Sequence, residues 1–413
     1  MRTPSALALA LLLTPLAVAQ APPQSELGWP QWLGPFRDGR SPATSVFPAT
    51  GPVRLRVAWK VPLGAGSAGL VVSGDRLVTL DADDKSVYAV ALAPRDGSVA
   101  WRVTLDSGPQ QEDSGPGSTP AIADGLVFAL SPACQLRALE LASGKPVWQV
   151  DLKAQFGAKL QRGCASSPLV DGAHLVVQTG APDDKRIVAL DRKTGALAWA
   201  AKGIARANYS APGLRGSGAS REILIHHTDS SQGGEPRSAL GALRAEDGQL
   251  VWQHTLDRAW SFATPVPVGD DGVLLLTWND AALVKAPSGA QPAAVAWRNP
   301  GFTAYVAAPV YRDGYLYGHG GDYLRCLRAT DGKTAWQERT YPGSVALVDG
   351  NLVTLSIAAG LMRVVGATPE AYRERARLQV AEPGSHVETP PSIAGRRIYV
   401  RNEDAVVAVD VEG

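Results

Sequence analysis

The chain has 413 residues and an almost balanced charge, with 40 basic and 39 acidic side chains. Its 43 Gly and 31 Pro make up about 18% of the residues, against roughly 12% in average sequences. This turn content argues against a helical bundle, and 45% hydrophobic residues argue against disorder. The balanced charge provides no electrostatic footprint for nucleic acid. The composition therefore indicates an all-β protein of many short strands.

The first 19 residues have the pattern of a secretory signal peptide. Arg2 supplies the positive charge, an apolar stretch runs from Ala6 to Val18, and Ala17-Val18-Ala19 forms a small-residue cleavage site. No cysteine stands at this junction, so no lipid anchor is expected. No later segment approaches the roughly 20 apolar residues of a membrane span. We therefore expect a protein that is free in the periplasm or secreted.

A short unit recurs through the rest of the chain. It consists of an acidic or small residue, Gly, three further residues and Trp, and each copy follows a stretch of alternating strand character. The Trp residues are 39 to 53 positions apart, a spacing typical of β-propeller blades. The copies are Asp96-Gly97 with Trp101, Ser143-Gly144 with Trp148, Thr194-Gly195 with Trp199, Asp247-Gly248 with Trp252 and Asp331-Gly332 with Trp336, and a looser copy has Ser288-Gly289 with Trp297.

A second marker precedes each unit: a short apolar run, a tight turn and another apolar strand. It occurs eight times, which predicts an eight-bladed propeller with four antiparallel strands in each blade. The seventh unit has no Trp, and we expect Tyr372 in its place. The eighth ends at Val406–Val411 without a fourth strand. The spare segment Val57–Val61, which contains Trp59, matches that strand and is predicted to close the ring. The predicted divisions are a signal peptide at 1–19, an extended leader at 20–56 and the propeller at 57–413.

The unit that reads Ala189-Leu190-Asp191…Thr194-Gly195…Trp199 resembles the quinoprotein (PQQ) β-propeller repeat. That family includes eight-bladed quinoprotein alcohol dehydrogenases and a non-enzymatic scaffold of the outer-membrane protein assembly machinery. The leader beginning Trp29-Pro30-Gln31-Trp32 and the tail around Thr389-Pro390-Pro391 resemble a narrower subgroup, the exported PQQ-binding-like propellers of bacteria.

The resemblance to the dehydrogenases implies PQQ with Ca²⁺ as cofactors. In that family the quinone stacks between a Trp and a disulfide of adjacent cysteines, Ca²⁺ is held by a Glu, an Asn and an Asp, and an Asp acts as base. In this sequence Cys134, Cys164 and Cys326 are isolated from one another, and no calcium triad can be assigned residue by residue. No catalytic residue and no metal ligand is therefore predicted.

A ligand pocket is expected where the innermost strands of the blades begin, because these points converge at one end of the central channel. Aromatic side chains mixed with Arg, Asn and Glu are typical of such pockets. The alternative is that these residues line the channel and bind only water. The candidate cofactor- or ligand-binding residues are Arg162, Arg206, Asn208, Tyr209, Trp260 and Glu388.

The cysteines provide a further prediction. Cys134 is expected near the turn between the second and third strands of blade two, and Cys164 at the start of blade three, on the same face of neighbouring blades. Export permits oxidation, so a Cys134–Cys164 disulfide is predicted, with Cys326 as a buried thiol. Three buried thiols are the alternative.

These observations predict an exported, monomeric propeller that acts as a binding or scaffold module for a protein partner or a small ligand. The alternatives are a PQQ-dependent dehydrogenase of an alcohol or sugar, and an accessory protein of carbohydrate degradation.

Overall fold

The computed structural model describes residues 28–107, 115–160, 163–181, 185–201, 204, 210–229, 237–257, 261–303 and 307–412. These residues form eight antiparallel sheets of four consecutive or nearly consecutive strands, arranged as the blades of a propeller. The fold class predicted from the repeat is confirmed. Two strands precede the first complete blade: β1 (Arg40–Ser41) and β2 (Arg54–Pro62).

The first four blades use the following strands: blade one β3 (Val71–Ser73), β4 (Arg76–Ala82), β5 (Ser86–Leu92) and β6 (Val99–Ser107); blade two β7 (Ala121–Ala123), β8 (Leu126–Leu130), β9 (Gln135–Glu140) and β10 (Pro146–Asp151); blade three β11 (Leu169–Asp171), β12 (His174–Gln178), β13 (Ile187–Asp191) and β14 (Leu197–Ala200); and blade four β15 (Gly213–Arg215), β16 (Glu222–Asp229), β17 (Arg237–Arg244) and β18 (Leu250–Asp257).

The remaining blades use the following strands: blade five β19 (Val266–Val268), β20 (Gly272–Leu276), β21 (Ala281–Lys285) and β22 (Ala294–Asn299); blade six β23 (Val310–Arg312), β24 (Tyr315–Gly320), β25 (Tyr323–Arg328) and β26 (Thr334–Arg339); blade seven β27 (Gly343–Val348), β28 (Asn351–Ser356), β29 (Leu361–Gly366) and β30 (Glu374–Gln379); and blade eight β31 (Ser392–Ala394), β32 (Arg397–Asn402) and β33 (Ala405–Glu412), completed by β2. A helix, α1 (Leu152–Phe156), follows blade two, and a 3₁₀ helix spans Gly218–Ser220.

The N-terminal strand β2 closes the ring. It pairs antiparallel with β33, and Trp59 stands opposite Ala408. Blade eight therefore combines the end of the chain with a strand from near its beginning, as the spare segment around Trp59 predicted. Because this pairing supplies the missing fourth strand, no blade of the described chain is left with three.

The repeated Trp residues join neighbouring blades. Each lies on the fourth strand of one blade, and at five junctions the Trp packs against the Gly turn between the third and fourth strands of the next blade. A Cβ placed on Gly144 would stand 2.8 Å from the Trp101 indole, and the same contact recurs at four other junctions. The Trp101 indole N–H also donates to the Leu141 carbonyl of the next blade at 2.9 Å. The motif therefore encodes the interface between blades rather than a ligand stack.

The leader enters the ring instead of extending away from it. The Trp29 and Val72 backbones form a bridge to the innermost strand of blade one, and the Pro30 carbonyl accepts the Ile122 N–H of blade two. After crossing the channel, the leader adds β1 to blade seven in parallel with β27. The described part of the leader therefore lies within the central channel, and we call it the plug.

Blade seven departs from the expected arrangement. By strand register, Ala376 of β30 takes the place that Trp336 takes in β26. Tyr372 lies before the strand, where its ring meets Trp336 edge-on at 5.9 Å. The expectation that Tyr372 replaces Trp within the strand is therefore wrong. The Tyr372 ring instead packs against Trp336 of blade six from the turn between β29 and β30.

Within the described ranges, no helix is long and apolar enough to cross a membrane.

Candidate functional site

The two ends of the propeller are built differently. The turn face carries the turns between first and second strands and between third and fourth strands. The mouth face carries the turns between second and third strands and the connections from one blade to the next. Most turns between first and second strands need only two residues, such as Asp124-Gly125, whereas mouth-face connections extend from Ser107 to Ala121 and from Asp151 to Leu169. Long connections on a rigid frame are where binding residues concentrate.

Backbone hydrogen bonds hold the mouth-face connections against one another. The Leu63 N–H donates to the Asp404 carbonyl at 2.8 Å, and the Ser67 N–H donates to the Pro116 carbonyl at 3.1 Å. Between blades seven and eight, the Val387 N–H donates to the Ile357 carbonyl at 3.0 Å. From blade seven through blade eight to blade two, neighbouring mouth-face segments are therefore held together by backbone hydrogen bonds.

Below this surface, hydroxyl groups link the starts of adjacent inner strands. The Ser118 hydroxyl donates to the Ser166 carbonyl, Ser166 to Ser210, and Ser210 to Ala263 at 2.7 Å. The Ser392 hydroxyl donates to the Leu70 carbonyl and joins blade eight to blade one. These small polar residues precede or begin the inner strands, so the channel wall at this depth is polar and their hydroxyls find acceptors within the protein.

Arg37 of the leader lies inside the channel and is fully buried. Its guanidinium donates to the Pro168 carbonyl at 2.9 Å and to the Pro212 carbonyl at 2.8 Å, thereby joining blades three and four. No carboxylate forms a salt bridge with Arg37 among the described residues. Burial lowers the pKa of Arg37 to about 9. The leader thus places a desolvated cation inside the channel, a feature that the sequence analysis missed.

A disulfide fastens one side of the mouth face. Cys134 and Cys164 are bonded, with Cα atoms 5.1 Å apart, and this is the pair expected from the sequence. Cys134 lies in the turn between β8 and β9, and Cys164 lies on the connection into blade three. Both are buried, and the Cys164 N–H donates to the Pro132 carbonyl beside the bridge. Cys326 is a buried free thiol, and burial raises its pKa to about 12.

Glu388 is the candidate site residue that the structure describes. It is half-buried on the connection into blade eight. Burial is the main cause that raises its pKa; the nearby Glu403 adds to this and His386 opposes it. A carboxyl group of this kind, beside an exposed histidine and a second acid, is suited to binding a cation or a hydrogen-bond donor. Arg162, Arg206, Asn208, Tyr209 and Trp260 lie outside the described residues, so their convergence stays a prediction.

The mouth face contains further residues that sequence reasoning did not single out. Trp278 and Tyr341 are about half exposed, and the Trp278 ring meets Phe262 edge-on at 6.2 Å. Trp278 lies in a turn within blade five, and Tyr341 lies between blades six and seven. For Trp278 the sequence contained a signal, because this Trp lies outside the repeat and is therefore not needed at a blade interface.

Buried charged groups join blades eight and one at the mouth face. The Arg401 guanidinium donates to the Gly64 carbonyl at 2.7 Å, and Asp81 accepts the Gly64 N–H at 3.1 Å. Asp81 also accepts hydrogen bonds from Arg102. Burial lowers the pKa of Arg401 to about 10, opposed by the charges of Asp81 and Asp404. Gly64 thus lies between two opposite buried charges, which hold this connection in place.

The described residues do not fit the quinone platform implied by the resemblance. The one disulfide joins cysteines that are 30 positions apart, and both are buried in the frame of the mouth. Within the described ranges, no group of three or more His, Cys, Asp or Glu side chains is arranged to hold a metal ion. The described residues therefore do not form a cofactor site of the kind that the resemblance implies.

Comparison with known proteins identifies the family. The profile of the PQQ_2 family, described as outer membrane protein assembly factor BamB, matches residues 83–259 and 236–413. The chain belongs to this family. PQQ_2 membership agrees with the eight blades, and the matched region covers the repeats from blade one to the end of the chain.

Two groups of relatives are found for this PQQ_2 member. It is 30% identical over 164 residues to the dehydrogenase subunit of alcohol dehydrogenase (quinone) from Gluconobacter oxydans, covering 38% of this chain and 20% of that protein. It is 26% identical over 202 residues to the outer membrane protein assembly factor BamB of Escherichia coli, covering 48% of this chain and 44% of that protein. The chain thus spans less than half the length of these relatives.

Solved structures reproduce the fold at low identity. The quinohemoprotein alcohol dehydrogenase ADHIIG of Pseudomonas putida matches with a TM-score of 0.68 at 13% identity, covering 94% of this chain and 81% of that one. BamB of Moraxella catarrhalis matches with a TM-score of 0.60 at 16% identity, covering 86% and 98%. At these identities the likeness shows the propeller fold alone.

Proposed function

We propose that this PQQ_2 protein is an exported binding module that captures a protein partner or a small ligand on its mouth face. The observation that carries the proposal is the difference between the two faces. The long inter-blade connections and the exposed Trp278 and Tyr341 are on the mouth face, whereas most first-to-second-strand turns of the turn face are minimal. Exposed aromatic side chains among charged groups are typical of binding surfaces.

The frame beneath this face supports recognition rather than movement. The disulfide, the hydroxyl links between inner strands and the plug all fix connections that come from different blades. A surface fixed in this way loses little conformational entropy when it binds, so more of the contact energy appears as affinity. The resemblance of the chain to BamB proteins, which are named as outer membrane protein assembly factors, supports a protein partner in the periplasm.

The experiment is a thermal-shift screen of quinones, sugars and carboxylates on the mature chain. A ligand at a hundredfold excess over its Kd stabilises the fold by about 2.7 kcal/mol. We expect the shift of a hit to be lost in Arg162→Ala, Arg206→Ala or Trp278→Ala and kept in Arg95→Ala, whose side chain is 91% exposed on the turn face. Hits that are unchanged in all the mouth variants would contradict binding at this face.

A PQQ-dependent dehydrogenase of an alcohol or sugar is the second candidate. The 30% identity over 164 residues to the dehydrogenase subunit of alcohol dehydrogenase (quinone) favours it. The absence of an adjacent-cysteine pair in the sequence counts against it. Enzymatic activity would require the cofactor to be held by another arrangement.

A further inference from the structure

An open cleft lies on the turn face, on the opposite side of the molecule from the mouth. It has a volume of about 890 Å³ and is formed by the leader segment 44–49 together with turns of blades six, seven and eight. Four arginines line it, and Asp349 is its one acidic residue. The arginines are Arg312, Arg373, Arg375 and Arg396.

The leader segment forms a fixed wall of this cleft. The Phe47 side chain is buried, and the Phe47 N–H donates to an Asp349 carboxylate oxygen at 3.0 Å. Arg375 donates to the Pro48 carbonyl and, at 2.9 Å, to the Asn351 side-chain oxygen. These contacts join the leader to blade seven, so the cleft exists before any ligand arrives.

The cleft concentrates positive charge in a chain whose net charge is only +1. Both acceptors of Arg375 are neutral oxygens, so its charge is held in place without being balanced. Arg373 is exposed and takes part in no side-chain hydrogen bond or ion pair with the rest of the described chain. Asp349 gives one carboxylate oxygen to the Phe47 backbone. Arg312 is paired with Asp313, but that carboxylate is 83% exposed and its attraction is screened by water.

The absence of a side chain at Gly350 leaves room for the Arg312 guanidinium at the cleft. A Cβ at this position would stand 2.9 Å from a guanidinium nitrogen of Arg312, and the backbone φ of Gly350 is 70°. The turn of blade seven therefore leaves space for an arginine that reaches across from blade six. Guanidinium groups that repel one another at one site are stabilised when an anion is bound between them.

We propose that this cleft binds a small ligand that carries two or more oxyanion groups. Guanidinium groups bind phosphate, sulfate and carboxylate oxygens in bidentate fashion, more specifically than lysine does. The volume lies within the range of small-molecule pockets and exceeds what a single inorganic anion fills. Four cations around one space match a ligand with several anionic groups. The site is separate from the mouth face and does not depend on its function.

The test is isothermal titration calorimetry on the full mature chain at constant ionic strength, with three probes: pyrophosphate, citrate and sucrose octasulfate. They distinguish phosphate, carboxylate and sulfate ligands. We expect saturable binding of at least one probe. Arg373→Ala should weaken it about tenfold and Arg373→Glu should abolish it, and neither change removes a contact that the fold uses.

Arg95→Ala is the matched control, because it removes the same charge from an exposed position elsewhere on the turn face. It should change affinity less than twofold. Absence of saturable binding by all three probes would overturn the proposal. Equal weakening by Arg95→Ala and Arg373→Ala would also overturn it, since that result indicates attraction to net charge alone.

Discussion

The indole of Trp59 lies against Gly97 across the junction where the ring closes. A Cβ on Gly97 would stand 2.8 Å from a ring carbon of Trp59, and the indole N–H donates to the Pro94 carbonyl at 3.1 Å. One residue is on the N-terminal strand of blade eight and the other is in a turn of blade one. The first and last blades are therefore joined by the same Trp–Gly contact that recurs at four other junctions.

We expect Gly97→Ala to destabilise the protein more than Gly125→Ala does. Both glycines have a φ of 74°, but a Cβ at Gly125 meets nothing within 4 Å, whereas at Gly97 it meets Trp59. The backbone term of about 1–2 kcal/mol is common to both variants. Overpacking should add roughly 1–3 kcal/mol at Gly97 alone. Urea denaturation measures the difference, and equal midpoints would contradict the role of the Trp–Gly contact.

Deletion of residues 20–63 should abolish cooperative unfolding. It removes β2, which pairs with β33 through eight residues from Arg54 to Pro62, and it removes the plug with Arg37. Blade eight would then have an open edge and the channel would lose its buried contacts. The measurement is calorimetric melting of the truncated and mature chains. A truncated chain that melts like the full one would show that the ring does not need its N-terminal strand.

Acid should destabilise the protein through His319. This imidazole is buried, and burial, with a contribution from Arg363, lowers its pKa from 6.5 to about 4. Between these two values the unfolded chain binds a proton that the folded chain does not, so stability falls as the pH falls from about 6.5 to about 4. The loss is about 3 kcal/mol at 1.36 kcal/mol for each pH unit.

The pH dependence is best measured as a difference between variants. The raised pKa of Glu388 acts in the opposite direction, because the folded chain binds that proton at a higher pH than the unfolded chain. His319→Gln should flatten the dependence of the unfolding free energy on pH in this window. An unchanged slope in His319→Gln would contradict the assignment.

Thiol titration of the denatured, unreduced mature protein should give one free thiol, from Cys326. The Cys134–Cys164 bridge closes a loop with a sequence separation of 30 and is expected to contribute about 3.5 kcal/mol in the chain-entropy model. Reduction should therefore lower the denaturation midpoint, and a Cys134→Ala/Cys164→Ala variant should match the reduced protein. Three free thiols before reduction would refute the bridge.

The repeat made the blades predictable because five of the blade interfaces in the described chain use the same two residue types, Trp and Gly. A positive-φ Gly and a Trp recur at fixed spacing, and the Trp of one blade contacts the Gly of the next. The blade number, the closing strand and the packing of the Trp residues could therefore be predicted from the sequence. Tyr372 shows the limit of this reading. Where Ala376 takes the Trp position, an aromatic residue nearby in sequence was assigned to the strand although it lies before it.

The plug and the arginine cleft were not predictable, because neither is formed by residues that recur in the sequence repeat. Nothing in the sequence around Arg37 indicates that its acceptors are carbonyls of blades three and four, more than 100 residues away. The cleft arginines come from three blades and lie beside a leader segment whose path the sequence does not define. At the mouth, Glu388 was predicted because it precedes an inner strand, whereas Trp278 lies in a turn and Tyr341 on a connection, neither of which follows a sequence pattern.

We infer that the mouth face binds its ligand without quinone chemistry. The most direct measurement is dye reduction after the purified mature chain has been incubated with PQQ and Ca²⁺ and supplied with a panel of alcohols and sugars. We predict no substrate-dependent reduction above the cofactor alone and no absorbance of bound quinone after gel filtration. Bound quinone together with dye reduction by any alcohol or sugar would contradict the account and establish the dehydrogenase.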